Sequence, residues 1–316
     1  MSAKGLSSRA IIGEFYRTLE QDIGNTWIPN VSMYFGSDQE SETYKWIGQV
    51  PQMREWIGGR QPKGFLENGI TITNKHYEST LKVLKRELRR DKTGQLMVRI
   101  REQAQRANAH WASLLSTLII DGESTVGYDG QFFFDTDHSE GSSGTQDNDI
   151  TTTIANLPAQ THGSTTAPSP EEMQQAILKS IEQMYGFVDD QGEPINETAS
   201  SFLVMVPVGL STATRAALSM VREAGVTTFS VDNFNISATV NPRLTSSGSW
   251  TDKFVVLRTD GNVKPFIRQE EQGVQMAAKA EGSEYEFDND AHEYGIDAWR
   301  NVGYGFWQHA VLNQLV

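Results

Sequence analysis

The most regular hydrophobic pattern in this chain lies between Gly94 and Gly122. Its apolar residues recur at alternating intervals of three and four positions, and they are Met97, Ile100, Ala104, Ala107, Trp111, Leu114 and Leu118. This spacing places them along one face of an α-helix, so a helix is predicted over about residues 94–121. Such a helix would be roughly 35–40 Å long, and Gly122 is a typical stop signal. A coiled-coil seam has the same spacing, although fewer than four heptads is short for one.

A second helix is predicted over about residues 170–185. Ser169 can cap its N-terminus, Pro170 fits the first turn, and Glu172 can complete a capping box. Its apolar stripe consists of Met173, Ile177, Ile181 and Met184, and Gly186 ends it. The start, the stripe and the stop together predict one amphipathic helix.

The segment from 202 to 257 alternates between strand and helix signals. Ser211 can cap a helix that runs to about Ala224. Strands are predicted on either side of it, at residues 202–208, 226–231 and 253–257. This pattern is typical of an α/β unit. Residues 264–316 are predicted to be strands rich in aromatic side chains, whereas the polar residues 139–168 are predicted to be a loop.

The first 90 residues carry weaker signals. A short helix is predicted from Ser7 to Leu19. The hydrophobic residues in the rest of residues 1–43 show no sustained periodicity, so we expect an extended arm with aromatic anchors. Residues 70–73 alternate Ile and Thr and are predicted to be a strand, and Asn68-Gly69 favours a tight hairpin turn. The edges of an exposed hairpin invite pairing with another chain, which is useful in an assembly.

Composition narrows the functional classes. The 316 residues are 38% hydrophobic, with a mean hydropathy of -0.45. No apolar run reaches the roughly 18 residues needed to span a bilayer, and the N-terminus has no apolar signal segment, so we expect no membrane partner. The chain contains no cysteine, which excludes disulfides, thiolate nucleophiles and cysteine-ligated metal sites.

Charge is distributed unevenly along the chain. Residues 1–110 hold 17 Lys and Arg against 12 Asp and Glu, whereas the remainder holds 10 against 28. This asymmetry suggests that a basic surface on one part of the protein meets an acidic surface on another part, and the two parts can belong to different copies of the chain. The net charge of -13 makes tight sequence-specific DNA binding a poor candidate function.

The segment Asp135-Thr136-Asp137-His138 is the main candidate for chemistry. Its two carboxylates and imidazole could hold a divalent ion, as in a metal-dependent hydrolase. The alternative, which we favour, is a solvated turn after a strand at 132–134, with Asp137 bonded to nearby backbone amides. His292-Glu293 lacks the second histidine of a zinc-binding helix, and the sequence has no glycine-rich phosphate loop and no serine-nucleophile elbow.

Several short aromatic-rich motifs follow one another in a fixed order along the chain. They are Trp46-Ile47-Gly48-Gln49, Arg54-Glu55-Trp56-Ile57-Gly58, Gly69-Ile70-Thr71-Ile72-Thr73-Asn74-Lys75, Phe133-Phe134-Asp135-Thr136-Asp137-His138, and Tyr294-Gly295-Ile296-Asp297-Ala298 through Gly305-Phe306-Trp307-Gln308. Each motif alone is weakly specific. Together they resemble the major head protein of Mu-like bacteriophages and prophages, over about residues 46–308.

The resemblance implies the Hong Kong 97 phage-type capsid fold, which is of the α+β class. The helix over 94–121 would be its long spine helix, and an extended hairpin loop would reach over a neighbouring subunit. The implied parts are an N-terminal arm at 1–43, an extended loop region at 44–90, a peripheral domain with both helices at 91–186, an α/β axial domain at 187–263, and strands at 264–316 that return to the peripheral domain.

The implied function is that of a major capsid protein, which is not an enzyme and needs no cofactor. Copies would assemble into hexamers and pentamers, tile an icosahedral head and enclose double-stranded DNA without sequence-specific binding. Implied partners are a scaffolding protein, a head protease, a portal and, as a further candidate, a decoration protein. The protein would reside in the virion, and in the host cytoplasm during assembly. Two alternatives stay open, the shell of a cellular nanocompartment with the same fold and a metal-dependent hydrolase.

Contacts between subunits are expected at aromatic and basic positions in the first 90 residues. The candidates are Trp46, Arg54, Trp56, Arg60, Lys63, Asn68, Lys82, Arg86, Arg89 and Arg90. The last four belong to a basic cluster formed by Lys82, Lys85, Arg86, Arg89, Arg90 and Lys92. This cluster could be a solvated face, a contact to packaged DNA, or a contact to an acidic neighbouring subunit. We predict the last, with residues 281–284 and 288–290 as the acidic partners.

Overall fold

The computed structural model of the protein describes residues 8–21, 26–45, 69–90, 94–223 and 235–316. Helices in these ranges are α1 (Ser8–Glu20), α2 (Ile28–Val31), α3 (Lys85–Arg90), α4 (Gln95–Asn108), α5 (His110–Ile120), α6 (Pro170–Tyr185), α7 (Ser211–Glu223), α8 (Pro242–Ser246) and α9 (Glu284–Asn289). Strands are β1 (Ser32–Gly36), β2 (Ser41–Tyr44), β3 (Ile70–Thr73), β4 (Lys75–Leu84), β5 (Asp149–Thr152), β6 (Ser201–Val206), β7 (Asn235–Val240), β8 (Lys253–Arg258), β9 (Phe266–Lys279), β10 (Ala291–Tyr304) and β11 (Ala310–Leu315). The predicted α+β class is confirmed. None of the helices described is both long and apolar enough to cross a membrane.

Four strands form the first sheet, in the order β1-β9-β10-β4. β10 is antiparallel to both β9 and β4, and β1 runs parallel to β9. Buried and partly exposed residues alternate along most of β10, because successive side chains point to opposite faces of a sheet. The inner face packs with α1 and α4 around Phe15, Ile100 and Tyr294, which have no exposed surface. This core joins the sheet to the first half of the predicted spine helix.

Five strands form the second sheet, in the order β5-β11-β8-β6-β7. Strands β6 and β8 are almost entirely buried, as their continuous apolar sequences predict. The larger core of the molecule surrounds this sheet and contains Phe202, Phe254 and Trp307. The strand predicted at 226–231 lies outside the described residues.

The predicted spine helix consists of two segments, α4 and α5, separated at Ala109. The Ala109 amide still donates to the Gln105 carbonyl (2.9 Å) and the Ser113 amide to the Ala109 carbonyl (3.1 Å), so the segments remain one irregular rod. The buried face changes at this break, because α4 packs in the core of the first sheet and α5 in the larger core. The prediction of one uninterrupted stripe was therefore wrong beyond Ala107. The buried residues of α5 are Ala112, Leu115, Ser116 and Ile119.

Gly122 has a different role from the one predicted. It lies in a short turn of 3-10 helix after α5, and it packs against the ring of Phe134. A Cβ atom at this position would lie 2.5 Å from the Phe134 ring, closer than any normal contact. A close approach of backbone to an aromatic ring therefore explains the glycine.

Helix α6 has the predicted boundaries and the predicted capping box. The Ser169 hydroxyl accepts from the Glu172 amide (3.2 Å), and the Glu172 carboxylate accepts from the Ser169 amide (2.8 Å). Helix α6 packs on α7 and on strands of the second sheet, in the same larger core as α5, the second segment of the spine helix. Likewise β11 joins the second sheet, whereas β9 and β10 lie in the first.

The described parts of residues 1–43 are more integrated than an extended arm. The predicted short helix is present as α1, and it packs along α4 with Phe15 buried. Strand β1 then extends the first sheet beside β9. Apolar residues in both elements find partners far along the chain, which local sequence patterns cannot show.

The predicted strand at 70–73 is present as β3, but its partner differs from the prediction. It pairs with β2, with Tyr44 opposite Ile70, so residues 45–69 connect the two strands. A two-residue turn at Asn68-Gly69 would instead have paired β3 with the residues directly before it. Six predicted contact residues lie outside the described residues, namely Trp46, Arg54, Trp56, Arg60, Lys63 and Asn68.

Candidate functional site

A buried polar centre occupies the segment that the sequence singled out for chemistry. We use this name for Asp129, Asp135, His138, Asn148 and Trp307. The imidazole of His138 has no exposed surface, and its ring stacks on the indole of Trp307 with centroids 3.9 Å apart. Its Nδ1 lies 2.6 Å from Asp129 Oδ2, and its Nε2 lies 3.1 Å from Asn148 Oδ1. Both ring nitrogens are therefore used inside the fold.

Asn148 connects the polar centre to the end of the second sheet. Its Oδ1 accepts from the Asp135 amide (2.9 Å) as well as facing His138. Its Nδ2 donates to three backbone carbonyls, those of Phe133 (2.9 Å), Ala310 (3.2 Å) and Trp307 (3.4 Å). One fully buried amide thus ties residues 133–138 to the start of β11.

The turn interpretation of this segment needs two corrections. The residue that binds backbone amides is Asp135, which accepts from Phe132 (3.1 Å) and Thr136 (2.8 Å), and not Asp137. Residues 132–134 do not form a strand; Phe132 makes only an isolated bridge to Val126. Phe133 and Phe134 fold inward into the larger core instead, because the turn places both rings against it.

The metal interpretation finds no support in the part of the chain that the structure describes. No group of three His, Asp or Glu side chains there could hold a metal ion. Because Asp129 and Asn148 occupy both nitrogens of His138, the imidazole has no free lone pair for an ion. The arrangement fixes backbone position and supplies no open coordination site.

Asn148 was missed from the sequence. It lies in the polar stretch 139–168 that was predicted to be a loop, and β5 begins directly after it. A single asparagine has no periodicity, and its partners lie at 133–138 and 307–310. The only local signal was the sequence Asp147-Asn148-Asp149 directly before an apolar residue at 150.

The end of β4 and the start of β10 bring a basic and an acidic segment together. Leu84 pairs with Ala291, so α3, which follows β4, lies beside α9, which precedes β10. Lys85 Nζ lies 2.5 Å from Glu286 Oε1, and the Lys85 amide donates to the Asp290 carbonyl (2.9 Å). We call α3 and α9 together the charged corner.

Two lysines of the basic cluster contact α9 of the same chain. The hydrogen bond from Lys85, assisted by the Gly282 amide and His292, lowers the pKa of Glu286 to about 2. The ammonium groups of Lys82 and Lys279 lie 5.7 and 5.8 Å from the ring centroid of Tyr285. Lys82 and Lys85 therefore both have a contact with α9 of their own subunit, and the predicted contact of this cluster with an adjacent subunit stays a prediction.

Two arginines of the charged corner face solvent. Arg86 and Arg89 are exposed on α3, and within the described ranges neither forms an ion pair. The side chain of Arg90 lies outside the description. A basic surface therefore remains available beside the acidic α9 after Lys82 and Lys85 are engaged.

Glu172 anchors the loop before α6 to the start of that helix. Its carboxylate is fully buried and accepts from the amides of Gly163 (3.0 Å) and Ser169 (2.8 Å), while His162 Nδ1 lies 2.9 Å away. Burial alone would raise the pKa of Glu172, but the amides of Ser169 and Gly163 and the His162 imidazole outweigh it and lower the pKa. The charged carboxylate is therefore the form that stabilises the fold.

Replacing Glu172 with Ala should lower the free energy of unfolding by about 2–3 kcal/mol at neutral pH, because two amides lose a buried acceptor. A carboxyl with a lowered pKa stabilises the fold above its ordinary pKa and loses that effect as the pH falls through the lowered value. The free energy of unfolding of the unassembled subunit, measured with denaturant, should therefore fall less at acidic pH in the variant than in the wild type. Glu182→Ala, at an exposed position of α6, should change stability by less than about 0.5 kcal/mol. Equal effects of the two substitutions would contradict the anchoring role.

The architecture defines the class of protein. The chain superposes on a subunit of the procapsid of bacteriophage JBD30 with a TM-score of 0.55 and 24% identity, covering 98% of this chain and 75% of that one. It superposes on the capsid protein of the cyanophage P-SCSP1u with a TM-score of 0.56 and 10% identity, covering 90% and 86%. The fold is that of phage capsid subunits, which confirms the expected Hong Kong 97 phage-type fold.

The sequence then defines the family. Residues 8–168 and 227–315 match the family described as Mu-like prophage major head subunit gpT, and the chain belongs to this family. It is 24% identical over 282 residues to the Mu-like prophage FluMu major head subunit of Haemophilus influenzae. That match covers 88% of this chain and 64% of the relative, so the chain spans somewhat less than two thirds of that protein's length.

Proposed function

We propose that this protein is the major head subunit of a Mu-like phage or prophage and builds an icosahedral shell from many copies. The observation that carries the proposal is the family match, which covers the whole of the first sheet and four strands of the second, with β6 outside it. The capsid fold of the described residues agrees with it. The shell would be made of hexamers and pentamers, and its location would be the virion, with assembly in the host cytoplasm.

The contents and partners of the shell belong to the same proposal. The shell would enclose double-stranded DNA, and the net charge of -13 argues against sequence-specific recognition of it. A scaffolding protein, a head protease and a portal would act during assembly, and a decoration protein is a further candidate. These partners are proposed from the family resemblance.

We assign the protein no catalytic role. Two of the three residues proposed as metal ligands, Asp135 and His138, are used to fix the polar centre, which supports a structural function for them. The contacts that matter would then lie between subunits. For these contacts we propose the ten residues predicted from the sequence, nine of them aromatic or basic and the tenth Asn68; Lys82 also contacts Tyr285 of its own chain.

The purified full-length chain should form capsomers, tubes or shells, alone or with its scaffolding protein. Obligate assemblies bury large surfaces, so the stability of the subunit is linked to the assembled state. Electron microscopy and light scattering measure this directly. A strictly monomeric protein in the presence of the scaffold would contradict the proposal, and a small fixed oligomer with hydrolytic activity would favour the enzyme alternative. Particles isolated with a loaded enzyme instead of DNA would favour the nanocompartment.

A further inference from the structure

Phe287 is the most exposed large hydrophobic side chain in the described part of the chain. Its exposed fraction is 90%, whereas the next, Val98, reaches 59%. It lies on α9, the short helix that connects the two longest strands, β9 and β10. A phenyl ring that contributes nothing to its own core and stands almost fully in water is typical of a contact residue.

The helix that carries Phe287 is held firmly in place. Ser283 caps it by accepting from the Glu286 amide (3.2 Å), and the Glu286 carboxylate binds Lys85 of α3. The ammonium groups of two lysines lie within 6 Å of the centroid of the Tyr285 ring, and Asp290 ends the helix in the left-handed conformation. Because α9 is fixed at both ends, Phe287 is presented in one position before any partner binds, which reduces the entropy cost of binding.

The surroundings of Phe287 carry two opposite charges on two sides. Glu284, Asp288 and Asp290 are exposed on and after α9, within three positions of Phe287 in the sequence, and we call them the acidic rim. Arg86 and Arg89 are exposed on α3, which lies directly beside α9. One corner of the subunit therefore presents an apolar ring with an acidic rim next to a basic helix.

We propose that Phe287 docks onto α3 of a second copy of this chain, with its acidic rim facing Arg86 and Arg89 of that copy. This inference rests on the proposed shell function and names one of its contacts. The phenyl ring would lie on the apolar stems and guanidinium groups of the arginines, an arrangement favoured by cation–π attraction. A contact of α9 with α9 of another copy would oppose like charges, whereas a contact of α9 with α3 of another copy pairs opposite charges. Each copy then offers both surfaces, its own α9 and its own α3, to neighbouring copies.

The absence of cysteine allows a direct test of this geometry in the full-length chain. Single variants Phe287→Cys and Arg89→Cys are prepared, assembled separately and in a mixture, and treated with a short bismaleimide. We expect a cross-linked dimer in the mixture only, since the proposed contact joins α9 of one copy to α3 of another. Dimers from Phe287→Cys alone would show a two-fold contact and overturn the proposal. Cross-links from Phe287→Cys to the scaffolding protein would overturn it as well.

Assembly of the variant Phe287→Ala provides the energetic test. We expect its critical concentration for assembly to rise roughly tenfold or more, because burial of a phenyl ring is lost at every contact. The thermal unfolding of the unassembled subunit should not change, since the ring is 90% exposed. Phe287→Leu should retain most of the assembly, and Val208→Ala, at another exposed apolar position, should assemble as the wild type does. If the wild type forms shells and Phe287→Ala assembles equally well, only the proposed contact is wrong. If the wild type stays monomeric, the proposed shell function itself is wrong.

Discussion

Replacing Asn148 with Ala should lower the free energy of unfolding of the subunit by about 3–5 kcal/mol. The amide of this side chain satisfies three buried carbonyls, and its oxygen serves the Asp135 amide and His138. Alanine removes the side-chain partner of all these groups, although the Trp307 carbonyl keeps the Ala310 amide and His138 keeps Asp129. Each buried group left without a partner costs about 1–3 kcal/mol, partly offset by relaxation. Denaturant unfolding of the unassembled subunit, followed by circular dichroism, measures the change.

Two further substitutions make this test specific. Asn148→Asp keeps the shape and the acceptor oxygen but cannot donate to the three carbonyls, so it should also destabilise strongly. Asn156→Ala removes an exposed asparagine a few residues away, and its effect should stay within about 0.5 kcal/mol. A small effect of Asn148→Ala would mean that the polar centre contributes little, and the structural role assigned to it would be wrong.

Reversing Arg86, Arg89 and Arg90 to Glu should block assembly and leave the subunit folded. Arg86 and Arg89 are exposed, so their replacement costs the fold little. Each exposed ion pair contributes only about 0–1 kcal/mol, but a shell repeats the contact many times, and reversal adds repulsion from the acidic rim of α9. Salt should weaken wild-type assembly for the same reason, because the Debye length shrinks from about 10 Å at 0.1 M to 3 Å at 1 M. Electron microscopy and light scattering across a salt series provide the measurement.

The matched control changes the same amount of charge elsewhere. Arg106, Lys179 and Arg215 are exposed on other helices, and their joint replacement by Glu should leave assembly close to that of the wild type. If assembly is lost in both triple variants, the effect is one of net charge. If the variant of the charged corner still builds empty shells and fails only to package DNA, the basic cluster faces DNA and the prediction of a contact between subunits is wrong.

Local signals predicted those parts of the fold that depend on neighbours in sequence. Helix α6 begins and ends as predicted, because Ser169 and Glu172 form its capping box and Gly186 follows its last turn. The apolar stripe of the spine helix was visible for the same reason. The break at Ala109 was not, because it arises where the helix passes from one core into another, and this depends on strands far away in the sequence.

The candidate site was predictable only in part. The aromatic-rich motif around Asp135 drew attention to the polar centre, but Asn148 acquires its role from carbonyls at 133, 307 and 310. The uneven distribution of charge between residues 1–110 and the rest of the chain was visible in the sequence. The contact of Lys85 with Glu286 within one chain was not, since it follows from the pairing of Leu84 with Ala291 across more than 200 residues.

The two long strands of the first sheet belong to both cores at once. Phe266 of β9 and Tyr304 of β10 lie in the larger core, whereas Met276 and Tyr294, nearer the other ends of the same strands, lie in or against the smaller one. The strands pair with each other along most of their length, so loss of either core removes packing from strands that the other core also needs. We therefore expect the subunit to unfold as one cooperative unit although its apolar residues form two clusters, with a substitution in either cluster lowering the melting temperature of the whole subunit.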